Sequence, residues 1–491
     1  MKSESSRANL FTELFFKMRK DLLIATLSIF LCFFSASTLN PGIKFTITPA
    51  AVKNFNDNIL PLIVDRLQAM NIPDVNEKGI HVQRISIHKL SVPSNAVISN
   101  FGNNNLVLGT SRFGIEIRAH IEKKILFVKV KTDVVASCGD SSVVTDISFG
   151  FANGHPQIGV RDFKVNINKL HVKMSGGIIS KIVQLITNVF HGPIQKLASK
   201  IISSQVRNKL GEGINKALTR IPNTIPLPMT PISVAYNLVT GPVVTPGYLS
   251  LPVEGTFFLT SQGKNVPPVA PATPMPDYDP GMGGQIQLFL NQYLFNSGLY
   301  AAWLGGLLKV EISHSLVDLS AGFQLNVGWL KQYAPGIAGQ YADDNKLVLA
   351  IESKNNPTVA LTTNNFGVAF LLGVKVFVLA GGQRIDVLDT ECNIDLQMRI
   401  DVQNWVFKPA ITGGQVRGVK VIRSNVGQVD ENKLKVGYNQ VTQATARKID
   451  VGKAAFNLPA SPDATMATVS LAVKEGYIQI AATPTFRLPP E

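Results

Sequence analysis

Residues 285–308 read "QIQLFLNQYLFNSGLYAAWLGGLL", an alternating run that passes without a loop into a helical one. Alternation has the period of a strand, and the small and apolar residues after it recur at helical steps. The same order occurs once before. "IKFTIT" at 43–48 alternates and runs into "PAAVKNFNDNILPLIVDRLQAM", where Val52, Phe55, Ile59, Ile63 and Leu67 share one side of a helix. A strand leading at once into a helix, twice in one chain, predicts two halves of like construction.

Downstream of each opening the pattern predicts antiparallel sheet. Ile394, Leu396, Met398, Ile400 and Val402 alternate with Asp395, Gln397, Arg399 and Asp401, giving one dry and one wet face. Phe366 to Val378 repeats the period, with glycines at 367 and 373 allowing a bend. Each half then returns to a helical pattern, over 178–220 and about 430–456, and "TVSLAVKEGYIQIAA" at 468–482 is expected as a closing strand. In "SKIVQLITNVFHGPIQKLASKII", 180–202, the apolar face is Ile182, Leu185, Ile186, Val189, Pro193, Ile194, Leu197, Ile201 and Ile202. Lys181, Lys196 and Lys200 interrupt the roughly 20 apolar residues a membrane span needs. Gly192-Pro193 is expected to bend this helix. The predicted class is α+β, a twisted antiparallel sheet rolled around long amphipathic helices that cover only part of its dry face.

Composition narrows the partners. Residues 1–37 read as a signal peptide: Arg19 and Lys20 precede "LLIATLSIFLCFF" and a small-residue "SAS" site. Met18 is an alternative start, and an uncleaved anchor is the competing reading. The chain carries a net charge of +14; that leader holds five Lys/Arg and three Asp/Glu, leaving +12 on a secreted product. Such a charge favours anionic membrane surfaces, lipid head groups or glycans, and a secretory address disfavours nucleic acid. Beyond the leader only Cys138 and Cys392 remain, in different halves, so they are expected unpaired; no N-glycosylation sequon is present. Pro222 to Pro280 holds 13 of the 28 prolines, which predicts an extended connector, at least at its end, and disfavours central strands.

Motifs for chemistry are missing. The chain has no His-Glu-x-x-His, Gly-x-Ser-x-Gly, Cys-x-x-Cys or phosphate-loop pattern, and "GMGGQI" at 281–286 reads as a flexible junction. The seven histidines are scattered. His81 and His88 share a strand, but seven residues apart they are expected on opposite faces, which argues against a metal site. Cys138 has no nearby base and reads as structural. No enzyme, cofactor or metal is predicted.

Four stretches resemble the lipid-binding serum glycoproteins, the family of bactericidal/permeability-increasing protein, lipopolysaccharide-binding protein and the phospholipid and cholesteryl ester transfer proteins. They are "NPGIKFTITPAAV" at 40, "NIPD" at 71, "NVPPVAPATPMP" at 265 and "IQLFLNQYLFNSGLYAAWLGGLLKVEI" at 286. The resemblance implies a boomerang of two tubular barrels joined by a central sheet, with barrels at 38–221 and 281–491 and central strands with linker at 222–280. It implies a secreted, monomeric carrier of phospholipid or another acyl lipid, working at an anionic membrane or lipoprotein surface. The alternative is an innate-immune binder of lipopolysaccharide with antibacterial activity. Two lipid sites are implied. One lies under Val52, Phe55, Ile59, Ile63 and Leu67 with Ile182, Leu185, Ile186, Val189, Ile194, Leu197 and Ile201, and the other near Tyr293, Phe295 and Leu299. At roughly 0.8 kcal/mol per methylene, a sixteen-carbon chain gains on the order of ten kcal/mol in such a lining, comparable to its loss on leaving a bilayer. Arg118, Lys123, Lys124, Lys129 and Lys131 in "RAHIEKKILFVKVK" are expected near a hairpin turn at "HIEKK", on a basic tip facing anionic head groups. Two departures stand out: no cysteine occupies 160–174 for the family's first-barrel disulfide, and "VNEKGIHVQRISIHKL" is shorter and less basic than in endotoxin binders.

Overall fold

A computed structural model describes residues 40–68, 74–77, 80–125, 128–166, 168, 171–175, 215–216, 219, 222–228, 230–317, 322–403, 406–448, 456–457 and 464–486. Both predicted strand-to-helix openings are present. Strand Ile43–Ile47 leads into helix α1, Pro49–Gln68, and strand Ile286–Asn291 into helix α2, Gln292–Leu304. Asn291 caps α2 by accepting the Tyr293 N–H at 3.0 Å, and Gly305 with Gly306, the latter at φ 66°, ends it. A third helix, α3, covers Glu431–Thr445, capped by Asp430. The rest of the predicted 178–220 helix up to residue 214 lies outside the described residues.

Each half carries a seven-stranded antiparallel sheet of matching order. In the first, Val75–Glu77, Ile80–Ser91, Asn105–Ile125, Val128–Ala152 and His155–Asn166 are neighbours in sequence order, with Val97–Phe101 and His171–Ser175 paired to the sides. In the second, Lys309–Ser313, Lys346–Ser353, Asn365–Ala380, Gln383–Gln403, Val406–Ser424 and Phe456–Asn457 run likewise, with Thr358–Thr362 to the side. The alternation at 394–402 is realised: Ile394 and Ile400 are buried while Gln397 and Arg399 are exposed.

Between the halves lies a six-stranded sheet drawn from the whole length of the chain, in the order Val243–Thr245, Tyr248–Val253, Ile43–Ile47, Ile286–Asn291, Tyr477–Phe486, Ala464–Lys474. One face, including Ile43, Ile47, Leu251, Leu288, Leu290 and Ile480, joins the main core. The opposite face presents Lys44, Thr46, Ser250, Gln287 and Asn291, and the proline-rich segment is laid across it as a strap. Lys44 Nζ donates to Met275 O (2.6 Å) and Asp277 Oδ1 (2.8 Å), Asn291 Nδ2 to Thr273 O (2.8 Å), and Gln287 Nε2 to Asp279 O (2.6 Å). Proline-fixed extended chain offers free carbonyls at low entropic cost, which is what a polar sheet face needs.

Four expectations change. The proline-rich region does supply a central strand: Tyr248–Val253 pairs with Ile43–Ile47 although it contains Pro252. The Pro252 carbonyl accepts the Val239 N–H at 3.0 Å where Val243–Thr245 no longer runs alongside, so the missing proline N–H costs no ladder bond. "TVSLAVKEGYIQIAA" is two strands of a hairpin, turned at Glu475 and Gly476, whose φ is 79°. "GMGGQI" is a built turn: Asp279 Oδ1 accepts the Gly281 N–H at 2.8 Å, and a Cβ on Gly284 would meet Ala481 Cβ at 2.9 Å. The hairpin expected at "HIEKK" lies further on, because strand Asn105–Ile125 continues until Ile125 pairs with Val128.

Candidate functional site

In the second half, burial along the dry face is interrupted. Phe366 and Val368 are buried, Phe370 and Leu372 are only half-buried, and Val374, Val376 and Val378 are buried again. The neighbouring strand repeats the interruption at Leu396 and Met398, between buried Ile394 and Ile400. Register offsets the two series, with half-buried Phe370 opposite buried Ile394, and half-buried Leu396 and Met398 opposite buried Val368 and Phe366. Helix α2 covers one end, where Phe295 meets Phe366 with ring centroids 5.3 Å apart. Helix α3 covers the other with Leu434, Tyr438 and Val441. Phe370 packs against the core at both ends. Among the described residues, Phe370, Leu372, Leu396 and Met398 form a half-buried apolar band between the two ends.

The three residues expected at this site divide. Phe295 and Leu299 are half-buried and pack against the main core, as Met398 and Val402 do. Tyr293 is 7% exposed, and its hydroxyl is hydrogen-bonded to Thr256 Oγ1 at 2.9 Å, so it serves packing. Burial raises the Tyr293 pKa above its ordinary value, keeping the phenol neutral. Polar side chains of α2 fix the helix in place: Asn296 Oδ1 accepts the Val359 N–H (2.7 Å), Gln292 Oε1 that of Leu361 (2.8 Å), and Ser297 Oγ that of Phe257 (3.1 Å). Sequence alternation puts Phe370, Leu372, Leu396 and Met398 on the dry face without assigning them to a site. Alternation marks a face, and only the positions of the helices show which part of it stays half-buried.

In the first half Val52 packs against the main core and Phe55 is half-buried on α1. The side chains of Ile59, Ile63 and Leu67 lie outside the described ones, as do residues Ile182, Leu185, Ile186, Val189, Ile194, Leu197 and Ile201 altogether. Of the expected basic tip, Arg118 and Lys129 are exposed, and the side chains of Lys123 and Lys124 lie outside the described ones. Lys129 is already paired. Glu122 receives Lys129 Nζ at 2.6 Å and Lys131 Nζ at 2.7 Å, and these two hydrogen bonds hold its carboxyl down at about 2. Arg118 donates to Glu116 at 3.3 Å. The attraction expected from these cations is therefore partly spent inside the sheet.

His81 and His88 share one face, contrary to the count of seven. The strand holds two bulges against Asn105–Ile125: Arg84 and Ile85 oppose a single residue, and His88 is extra between Ile87 and Lys89. The first bulge, between the two histidines, adds a residue and reverses the alternation, which brings His88 to the face of His81. Arg84 takes φ 52°, and its N–H donates to Asp74 Oδ1 at 3.1 Å. Among the described residues no group of three or more His, Cys, Asp or Glu side chains could hold a metal ion, and no helix is long and apolar enough to cross a membrane. Cys138 and Cys392 are both buried and unpaired.

Comparison with known proteins agrees with this architecture. A sequence model of the LBP / BPI / CETP family, C-terminal domain, matches residues 229–483, just over half of the chain. The chain is 26% identical over 247 residues to human BPI fold-containing family B member 2, covering 49% of this chain and 53% of that protein. It is 23% identical over 243 residues to the bactericidal permeability-increasing protein of Rattus norvegicus, covering 49% of each. The chain thus spans about half the length of the curated relatives it matches. The crystal structure of lipopolysaccharide binding protein superposes with a TM-score of 0.58 at 16% identity, covering 92% of this chain and all of that one, which establishes a shared fold.

Proposed function

The chain belongs to the LBP / BPI / CETP family, and from that premise we propose that it is a secreted lipid-binding and lipid-transfer protein without enzymatic activity. The observation that carries this reading is the half-buried apolar band of Phe370, Leu372, Leu396 and Met398 between the two buried ends of one sheet. Apolar side chains left half-buried inside a rolled sheet are stabilised by an apolar occupant, and an acyl chain has the width and flexibility to lie along four of them. Each half, 38–221 and 281–491, takes one such chain in a tubular barrel, with 222–280 supplying central strands and the strap.

Near balance is what carriage requires. A lining this short returns a few methylenes' worth of burial, roughly 0.8 kcal/mol each, so lipid is held and can still be delivered. The experiment is mass spectrometry of an organic extract of the purified protein. Phospholipid or another acyl lipid at one to two per chain supports the reading, and a lipid-free extract overturns it. The fold shared with lipopolysaccharide binding protein supports a second reading, innate-immune binding of bacterial envelope lipid. Exposure to lipopolysaccharide before extraction separates the two, because that reading requires lipid A in the extract.

A further inference from the structure

Four of the seven histidines of the chain, His81, His88, His120 and His171, stand on one outer face of the N-terminal sheet. The inner face is fixed by buried Ile121, Val134, Ala136 and Cys138, so the residues that alternate with them point outward. Register arranges the outward residues in rows. His81 lies opposite Glu122, which lies opposite Lys131. Gln83 lies opposite His120, which lies opposite Asp133. Ser86, Arg118, Val135 and Lys173 form the next row, and Lys89, Glu116, Ser137 and His171 the last. His88, the bulge residue, reaches the same face, with Nε2 3.9 Å from Glu116 Oε1.

The charge on this face is moderately positive when the imidazoles are neutral. Lys89, Arg118, Lys124, Lys129, Lys131 and Lys173 share the face with Glu116, Glu122 and Asp133, an excess of three cations. The anions are engaged. Glu122 binds both Lys129 and Lys131, Glu116 accepts from Arg118, and Asp133 Oδ1 accepts from His120 Nδ1 at 2.7 Å. Asp74, at the edge of the face, accepts the Arg84 amide. The two lysines on Glu122 keep it ionised far below neutrality, so acidification adds charge through the imidazoles. Protonating all four raises the excess from three to seven over an area four strands wide.

We propose that this outer face is a docking surface for anionic lipid bilayers that engages as the pH falls, the four histidines supplying the charge that the lysines have given up to Glu122. The proposal rests on the lipid-carrier reading and names where and when such a carrier meets a membrane. An anionic surface attracts each added cation within a Debye length, and a broad flat sheet face brings several of them to it at once. Histidine is the side chain through which proteins most often respond to mild acidification by gaining positive charge.

The test is flotation of the full chain with phosphatidylcholine vesicles containing about one fifth phosphatidylserine, at pH 7.5 and 5.5 and about 0.15 M salt. Binding is expected to strengthen at least tenfold at the lower pH, to weaken when salt is raised, and to be absent on pure phosphatidylcholine. The variant H81Q/H88Q/H120Q/H171Q is expected to bind as the parent does at pH 7.5 and to lose the rise. Its melting temperature at both pH values verifies the fold, and single variants of exposed His81 and His171, each removing part of the rise, serve if the quadruple variant is unstable. Parent binding that does not change with pH, or a rise that survives in the variants, overturns the proposal. Lipid extracted from the same samples reports separately on carriage: a pH-independent protein that still holds lipid refutes the face alone.

Discussion

The side-chain amide of Asn439 closes two hydrogen bonds on the backbone of Val416, its Oδ1 accepting the Val416 N–H at 2.8 Å and its Nδ2 donating to the Val416 carbonyl at 3.4 Å. Asn439 lies on α3 and Val416 on strand Val406–Ser424, so one side chain stands in for a neighbouring strand and docks the helix to the sheet. Asn215 does the same for Ile158 in the first half, at 2.8 and 2.9 Å. The repeat extends the likeness of the two halves to single hydrogen bonds. Asn439→Ala leaves a buried amide and carbonyl unpaired, and the expected loss is about 1–3 kcal/mol. Chemical denaturation of N439A checks it, and an unchanged midpoint contradicts the docking role.

Lys44, 12% exposed, is held by Asp277 of the strap, which also accepts from Ser250 at 3.3 Å. Asp277→Ala strands the ammonium against a sheet face, with an expected cost of about 1.5–3 kcal/mol. The double variant K44M/D277A removes the charge and is expected to recover part of that loss. A double-mutant cycle in urea measures the coupling, and strict additivity would show that the strap is not held by this pair.

The Glu122 carboxyl sits at about 2 against an ordinary 4.5, first through its hydrogen bond to Lys129 and then through that to Lys131. A depressed folded value means the stabilisation is present above pH 4.5 and disappears as pH falls towards 2. Glu122→Gln is therefore expected to lower the melting temperature at pH 7, with the difference narrowing between pH 4.5 and 2. Melting curves of the parent and variant across that range decide it, and a pH-independent difference would assign the effect to packing.

Cys392 is buried enough that its thiol is pushed up to about 12, and Cys138 is buried in the other half. Neither is expected to react with iodoacetamide at pH 8 in the native protein, and both are expected to react on unfolding. Mass spectrometry counts the adducts. A reducing agent is expected to leave the melting temperature unchanged, and a drop of several degrees would reveal a bond between them.

Met398 borders the half-buried band and faces Phe366 across the strand pair. Met398→Trp fills space without cutting a hydrogen bond, so it is expected to reduce extracted lipid while leaving the fold intact. Quantitative lipid analysis beside circular dichroism tests this, and full lipid occupancy in M398W would move the site elsewhere.

Two strand-to-helix openings, the alternation of Ile394 to Val402, the extended end of the proline-rich segment and the unpaired cysteines were legible in the sequence. Each depends on contacts between near neighbours in the chain or on which residue types are present, and periodicity reports those directly. Tertiary structure alone decided the rest. Pro252 sits in a central strand because its neighbour ends where the proline N–H would have been needed, and His81 joins His88 because the bulge at Arg84 and Ile85 shifts the alternation between them. The half-buried band between α2 and α3 depends on where two distant helices stop, and the amides of Asn215 and Asn439 find their backbone partners 57 and 23 residues away. Burial pattern is a property of one element and is encoded locally. Register, bulges and helix cover belong to pairs of elements, and their energies appear only when the chain has brought those elements together.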